Sequence, residues 1–149
     1  MTFTMTALAK SLAEYLAPSL PDVMFCGGPN QQGTTPPVMF LQVISAKLES
    51  HIGDRVLRKL ELDLVYLENF NLTDTESRVL SAAETLDELL ETFPYRNDGE
   101  TVLLRTFGRK WNVTADILHY KFGLRLRLAR QDDAALMESI QELRMEEKR

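Results

Sequence analysis

In ADILHYKFGLRLRLAR (Ala115–Arg130), aliphatic and aromatic side chains recur at every second residue. Leu118, Tyr120, Phe122, Leu124, Leu126 and Leu128 share one face of an extended strand. His119, Lys121, Gly123, Arg125 and Arg127 share the other. Alternation this regular means one face buried against a core and one face polar. RKLELDLVYLE (Arg58–Glu68) repeats the pattern: Leu60, Leu62, Leu64 and Tyr66 point one way, Lys59, Glu61 and Asp63 the other. Two such strands need helices over their apolar face, because a single sheet cannot cover its own side.

Working outward, VMFLQVI (Val38–Ile44) is almost continuously apolar and predicts a strand covered on both faces. It continues, more amphipathic, through Ser45–Ser50, and HIGD (His51–Asp54) supplies a turn into the next strand. The result is a hairpin with long arms. Leu8, Leu12, Tyr15 and Leu16 predict a helix over Thr6–Ala17, stopped by Pro18. A short strand is expected at Val23–Cys26, then a loop in GGPNQQGTTPP (Gly27–Pro37).

Thr73 and Glu76 form a T-x-x-E capping box for a central helix. Val79, Ala83, Leu86, Leu90 and Phe93 follow at steps of three and four, and Pro94 ends the run. Asn97–Gly99 is a turn signal, after which TVLLRTF (Thr101–Phe107) and the segment from Lys110 to Arg130 supply further strands. A final helix carrying Met137, Ile140 and Leu143 can be capped by Asp132 or Asp133. The order is α-β-β-β-α-β-β-α. It predicts a single α+β domain over residues 1–149: a mostly antiparallel sheet with a long hairpin, packed against a central and two terminal helices.

Composition narrows the function. With 44% hydrophobic and 26% charged residues among 149, an ordinary globular core is expected. A formal charge of −5 argues against a dedicated nucleic-acid binder, which needs a Lys/Arg excess to neutralise phosphates. Cys26 is the sole cysteine, so no internal disulfide forms, in keeping with a reducing cytoplasm. No apolar run nears the roughly 20 residues a membrane helix needs, and the N-terminal segment reads as an amphipathic helix. A soluble, intracellular product is expected.

Candidate chemistry is thin. His51 sits at a turn and His119 on a strand, neither with a His or Cys partner at ligand spacing. Cys26 leads into a loop and a strand, without the helix N-terminus or base that activates a thiolate. GGPNQQG lacks the Lys and the following helix of a phosphate loop. Glu61 and Asp63 read as a solvated or subunit-facing surface and not as an acid–base pair. Lys121, Arg125, Arg127 and Arg130 form a basic stripe, with Arg105, Arg109 and Lys110 as possible neighbours. An acidic face (Glu61, Asp63, Glu68) is its natural complement, across the sheet or on another copy. A solvated basic face is the plainer alternative.

The arms Ala46–Ser50 and Arg55–Lys59 exceed what so small a core needs, and surplus strand invites edge-to-edge pairing between subunits. Candidate subunit-interface residues are Lys47, Glu49, Arg55, Arg58, Glu61, Asp63, Lys121, Arg125 and Arg127. No catalytic, metal or cofactor residue is expected.

The order of features resembles the tail terminator (tail completion) proteins of tailed phages, prophages and phage-tail-like bacteriocins. The resemblance is carried by the amphipathic first helix, PPVMFLQVI (Pro36–Ile44), RVLRKLELDLVYLE (Arg55–Glu68), ETLDELLETF (Glu84–Phe93) and LLRTFGRKWNVTADILHYKF (Leu103–Phe122). The Gly27–Pro37 loop has no counterpart in the family pattern. The resemblance implies an α/β fold in a ring of six at the head-proximal end of the tail. That ring would stop tube polymerisation, meet the neck or head connector and, in contractile tails, hold the last sheath layer. DNA would only pass through its lumen. It implies no catalytic residue and no cofactor. The alternatives are a head–tail connector or neck protein of the same machinery, and a small-ligand-binding or enzymatic α+β domain.

Overall fold

The computed structural model describes residues 3–26, 37–50, 55–68 and 73–129. Among them the elements run α1 (Met5–Leu16), β1 (Met24–Cys26), β2 (Val38–Ser50), β3 (Arg55–Leu67), α2 (Thr75–Leu89), β4 (Thr92–Asn97), β5 (Glu100–Thr114) and β6 (Ile117–Ala129). The strands form one sheet in the order β1-β2-β3-β6-β5-β4. Every pairing is antiparallel except β1 with β2. The α+β class is as expected. The final helix expected after Asp132 lies outside the described residues, as do His51, most of the Gly27–Pro37 loop and Arg130.

The two alternating segments meet at the centre. Leu60 pairs with Leu124, Leu62 with Phe122, Leu64 with Tyr120 and Tyr66 with Leu118. All eight are buried, and they face the helices with Met39, Phe93 and Tyr95. Side chains opposite one another in an antiparallel ladder share a face, so one register buries the whole set. A Leu buried this fully stabilises by roughly 2 kcal/mol relative to exposure.

Both helices lie on that face. Thr4 caps α1 by accepting from the Ala7 N–H at 3.1 Å, and Leu8, Leu12 and Leu16 are its buried stripe. The helix docks along β4: Tyr95 Oη accepts from the Thr4 N–H at 3.1 Å, and Ser11 Oγ accepts from the Arg96 N–H at 2.9 Å. Phe3 stacks on Tyr95 with ring centroids 5.1 Å apart, and the Arg58 guanidinium lies 5.7 Å from the same Phe3 ring. One side chain thus reaches both β4, at the far edge, and β3. A bulge between Phe107 and Lys110, with Gly108 at φ 59°, gives β5 the bend for this.

Three expectations are corrected. The central helix ends at Leu89, with its C-cap at Leu90, and does not run to Phe93. Phe93 and Tyr95 belong instead to β4, whose burial alternates. The spacing from Leu90 to Phe93 fits a helix, but Tyr95 two residues on fits only a strand. Pro94 is admissible because β4 is an edge strand, where a missing N–H costs no ladder bond. At its start, α2 is capped by Asp74 without a side-chain hydrogen bond, not by Thr73. And β5 continues through Gly108 as a bulged strand; the turn falls at Ala115–Asp116, both in the left-handed region.

The expectation that Val38–Ile44 is covered on both faces also fails. Val38, Met39 and Phe40 are buried, whereas Val43 is 48% and Ile44 50% exposed. The cause is topological: β1 pairs only with Val38–Phe40, and a bulge follows between Val43 and Ser45.

Candidate functional site

Polar groups in the fold form three local clusters; in the last of them Asp63 Oδ1 is buried without a hydrogen-bond partner among the described residues. On α2, Asp87 receives the Tyr120 hydroxyl at 2.8 Å and the Trp111 indole N–H at 3.1 Å, while its carbonyl accepts from Arg109 at 2.8 Å. Burial, then the bond to Asp87, pushes the Tyr120 hydroxyl up to about 12. This cluster pins α2 to β5 and β6. In the second, Tyr66 donates to Glu68, which is fully buried and lies 3.4 Å from Arg78 Nε. Burial first and the Glu68 bond second raise the Tyr66 hydroxyl well above its ordinary value.

In the third, His119 Nδ1 lies 2.8 Å from Asp63 Oδ2, a diagonal contact between β6 and β3. Asp63 is buried, so its expected role as solvated or subunit-facing surface is corrected: it sits under His119. The sequence hid this partnership because the two residues are 56 positions apart, and only the β3–β6 register brings them together. No hydroxyl or thiol bonds to His119 among the described residues, so the pair lacks the nucleophile that would make it a catalytic relay. Cys26 ends β1, with its thiol 3.9 Å from the Met24 carbonyl and no base bonded to it among the described residues. Among the described residues no group of three or more His, Cys, Asp or Glu side chains is placed to hold a metal.

The expected acidic strand face does not form. Glu68 is at the end of β3 and fully buried, Asp63 is buried, and only Glu61 is exposed. The basic stripe does form, on the sheet face away from the helices. Lys121, Arg125 and Arg127 lie along β6, and the Arg125 guanidinium is 5.1 Å from the Phe107 ring. Lys59 faces Arg125 directly, and Lys110 faces Lys121. Lys59, Lys110, Lys121 and Arg125, with Glu61 among them, rim an open groove of about 480 Å³ whose floor includes Gly123, with Ile44 and Phe107 at its sides. Of the other interface candidates, Lys47 and Arg55 are exposed, Glu49 pairs with Lys59 at 3.3 Å, and Arg58 faces α1 by way of Phe3.

Two strands are bare beyond the core. Residues Gln42–Leu48 of β2 are exposed at every position, as are Phe107–Thr114 of β5. They carry Val43, Ile44 and Leu48 on one side of the sheet, and Phe107, Trp111 and Val113 on the other. Of the two arms where the sequence places surplus strand, Ala46–Leu48 is bare, whereas β6 flanks Arg55–Lys59 as far as Ala129 and half covers it. The surplus is in β2 and β5.

Fold and surface together define an α+β domain whose distinctive feature is bare strand and charged face, with no enclosed pocket lined by convergent polar groups among the described residues. Residues 7–135 match the family model for phage tail terminator proteins, and the chain belongs to that family. Its role is structural, in the assembly of the phage tail. No curated protein matches the chain at a significant level. No described helix is long and apolar enough to cross a membrane.

Proposed function

We propose that the chain works as a ring, of six copies, at the head-proximal end of the tail tube. There it stops addition of tube subunits and presents a surface to the neck or, in a contractile tail, to the last sheath layer. Assembly takes place in the host cytoplasm, DNA only passes through the lumen, and no reaction is catalysed. The observation that carries this reading is the pair of bare strand lengths in β2 and β5, on opposite sides of one sheet. A closed ring needs unlike patches on each copy, and bare strand at both sides of the sheet leaves surface for neighbouring copies and for tube and neck together. Side chains such as Val43, Ile44, Leu48 and Phe107 have no use for exposure in an isolated subunit, but suit contact with tube, neck or another copy.

The test is genetic and visual. Cells producing the particle without this gene should give tails that overrun their regular length and fail to join heads, and resupplying the gene should restore both. Tails of regular length, joined normally in its absence, would refute the reading.

A further inference from the structure

The groove on the helix-free face has a charge problem that the subunit does not solve by itself. Lys59 stands opposite Arg125 and Lys110 opposite Lys121. Like charges placed directly across a ladder repel, and each such pair costs a few tenths of a kcal/mol or more. Glu49 pairs with Lys59, Asp63 lies opposite Lys121 and Glu61 lines the groove opposite Gly123, but Lys110, Lys121 and Arg125 form no ion pair among the described residues and the groove keeps an excess of positive charge. Between them the floor is flat: Gly123 carries no side chain, and the sides are the apolar Ile44 and Phe107. Of the acidic residues expected on β3, Asp63 and Glu68 are buried, which leaves Glu61 alone against Lys59, Lys110, Lys121 and Arg125 in the groove.

A complement exists on α2. Glu76, Leu80, Glu84 and Glu88 fall at steps of four on its outward side, and all are exposed. They make an acidic stripe with one apolar residue, Leu80, 38% exposed. The twelve steps from Glu76 to Glu88 rise about 18 Å. The basic stripe on β6, from Lys121 in the groove to Arg127 just beyond its lining, spans about 20 Å. The lengths agree, and an acidic helix stripe with an apolar tooth fits a basic groove with apolar sides.

We infer that the α2 stripe of one copy seats in the basic groove of the next, and that this contact joins copies within the ring. The inference rests on the ring reading above and names the surfaces that join. A second copy is the occupant because each chain carries both patches on opposite faces of its sheet. No copy can close the contact on itself, and every copy offers one groove and one stripe to its neighbours.

Charge reversal tests this in cells that produce the whole particle and carry two differently tagged copies of the chain. Lys121→Glu with Arg125→Glu reverses the groove, and Glu84→Lys with Glu88→Lys reverses the stripe. Either variant supplied as both copies should lower co-purification of one tag with the other at least tenfold. One copy of each kind should restore it, because an acidic groove then meets a basic stripe around an alternating ring. The four positions are surface-exposed or half-buried, so melting temperatures near that of the unaltered chain serve as the folding control. The inference is overturned if single reversals leave copy–copy recovery intact, if the opposite reversals fail to rescue each other, or if only recovery of an unlike tail protein is lost. Tail length in the same cells reports separately on the terminator reading: regular tails without the gene would sink that reading whatever the tags show.

Discussion

Ala115 occupies the first position of the two-residue turn between Thr114 and Ile117, with φ 52°, and Asp116 follows at φ 64°. Turns of this kind favour Asn or Gly, because a Cβ in the left-handed region crowds the backbone at roughly 1 kcal/mol. Ala115→Asn should therefore stabilise the fold by about 0.5–1 kcal/mol, read as a higher urea midpoint with unchanged slope. The neighbouring β4–β5 turn already has suitable residues, Asp98 at φ 52° and Gly99 at φ 77°. Tyr120 gives a second prediction. Its hydroxyl titrates near 12 in the fold and near 10 unfolded, so the folded state holds its proton longer. That stabilisation is complete below pH 10 and is lost as pH rises from 10 to 12. Tyr120→Phe should cost about 1–2 kcal/mol at neutral pH and make the alkaline fall of stability shallower. An equally steep fall in the variant would show that ionisation of Tyr120 is not its source.

Among the elements, the passage from α2 into β4 is held from outside. Thr106 of β5 is buried; its hydroxyl donates to the Leu90 carbonyl, and its N–H donates to the Glu91 carbonyl at 3.0 Å. A helix leaves its last carbonyls without partners, and here a strand supplies one. Thr106→Val keeps the shape and removes the hydroxyl, so it should cost about 1–3 kcal/mol, checked by thermal melting beside Thr106→Ser. The same place shows what a sequence conveys about elements. Period-two alternation in β3 and β6 was legible with its face assignment because both strands are central and one face is wholly covered. The α2 terminus was not, since Leu86, Leu90 and Phe93 fit helical spacing equally well and only packing against α1 and β5 decides it. Nor was the Asp63–His119 pair, or the buried state of Glu68, because cross-strand partners depend on register. The basic stripe on β6 is plain from alternation alone, whereas glutamates at steps of four on α2 carry no sequence signal that separates a contact surface from a solvated helix face.

For the molecule as a whole, bare strand separates what folding needs from what assembly needs. Val43→Lys or Leu48→Lys changes side chains that are 48% and 61% exposed. Such changes should leave stability within about 0.5 kcal/mol while abolishing complementation in cells that lack the gene. A variant that folds normally and still yields regular tails would remove β2 from the contact surface. Edge strands of this length are ordinarily an aggregation hazard, and the bulges in β2 and β5, with Lys47, Arg109 and Lys110 along them, are the usual protections.

The pairing of β3 with β6 sets the timetable of synthesis. Arg55 meets Ala129 and Leu67 meets Ile117, so the middle of the sheet joins one stretch of chain to another made well after it. Loop closure over such a distance delays the central ladder until the ribosome has delivered β6. A polypeptide stopped short of Ile117 has both flanks of the sheet and no centre. Prematurely ended products should be cleared by proteolysis before they can occupy a place meant for a finished one.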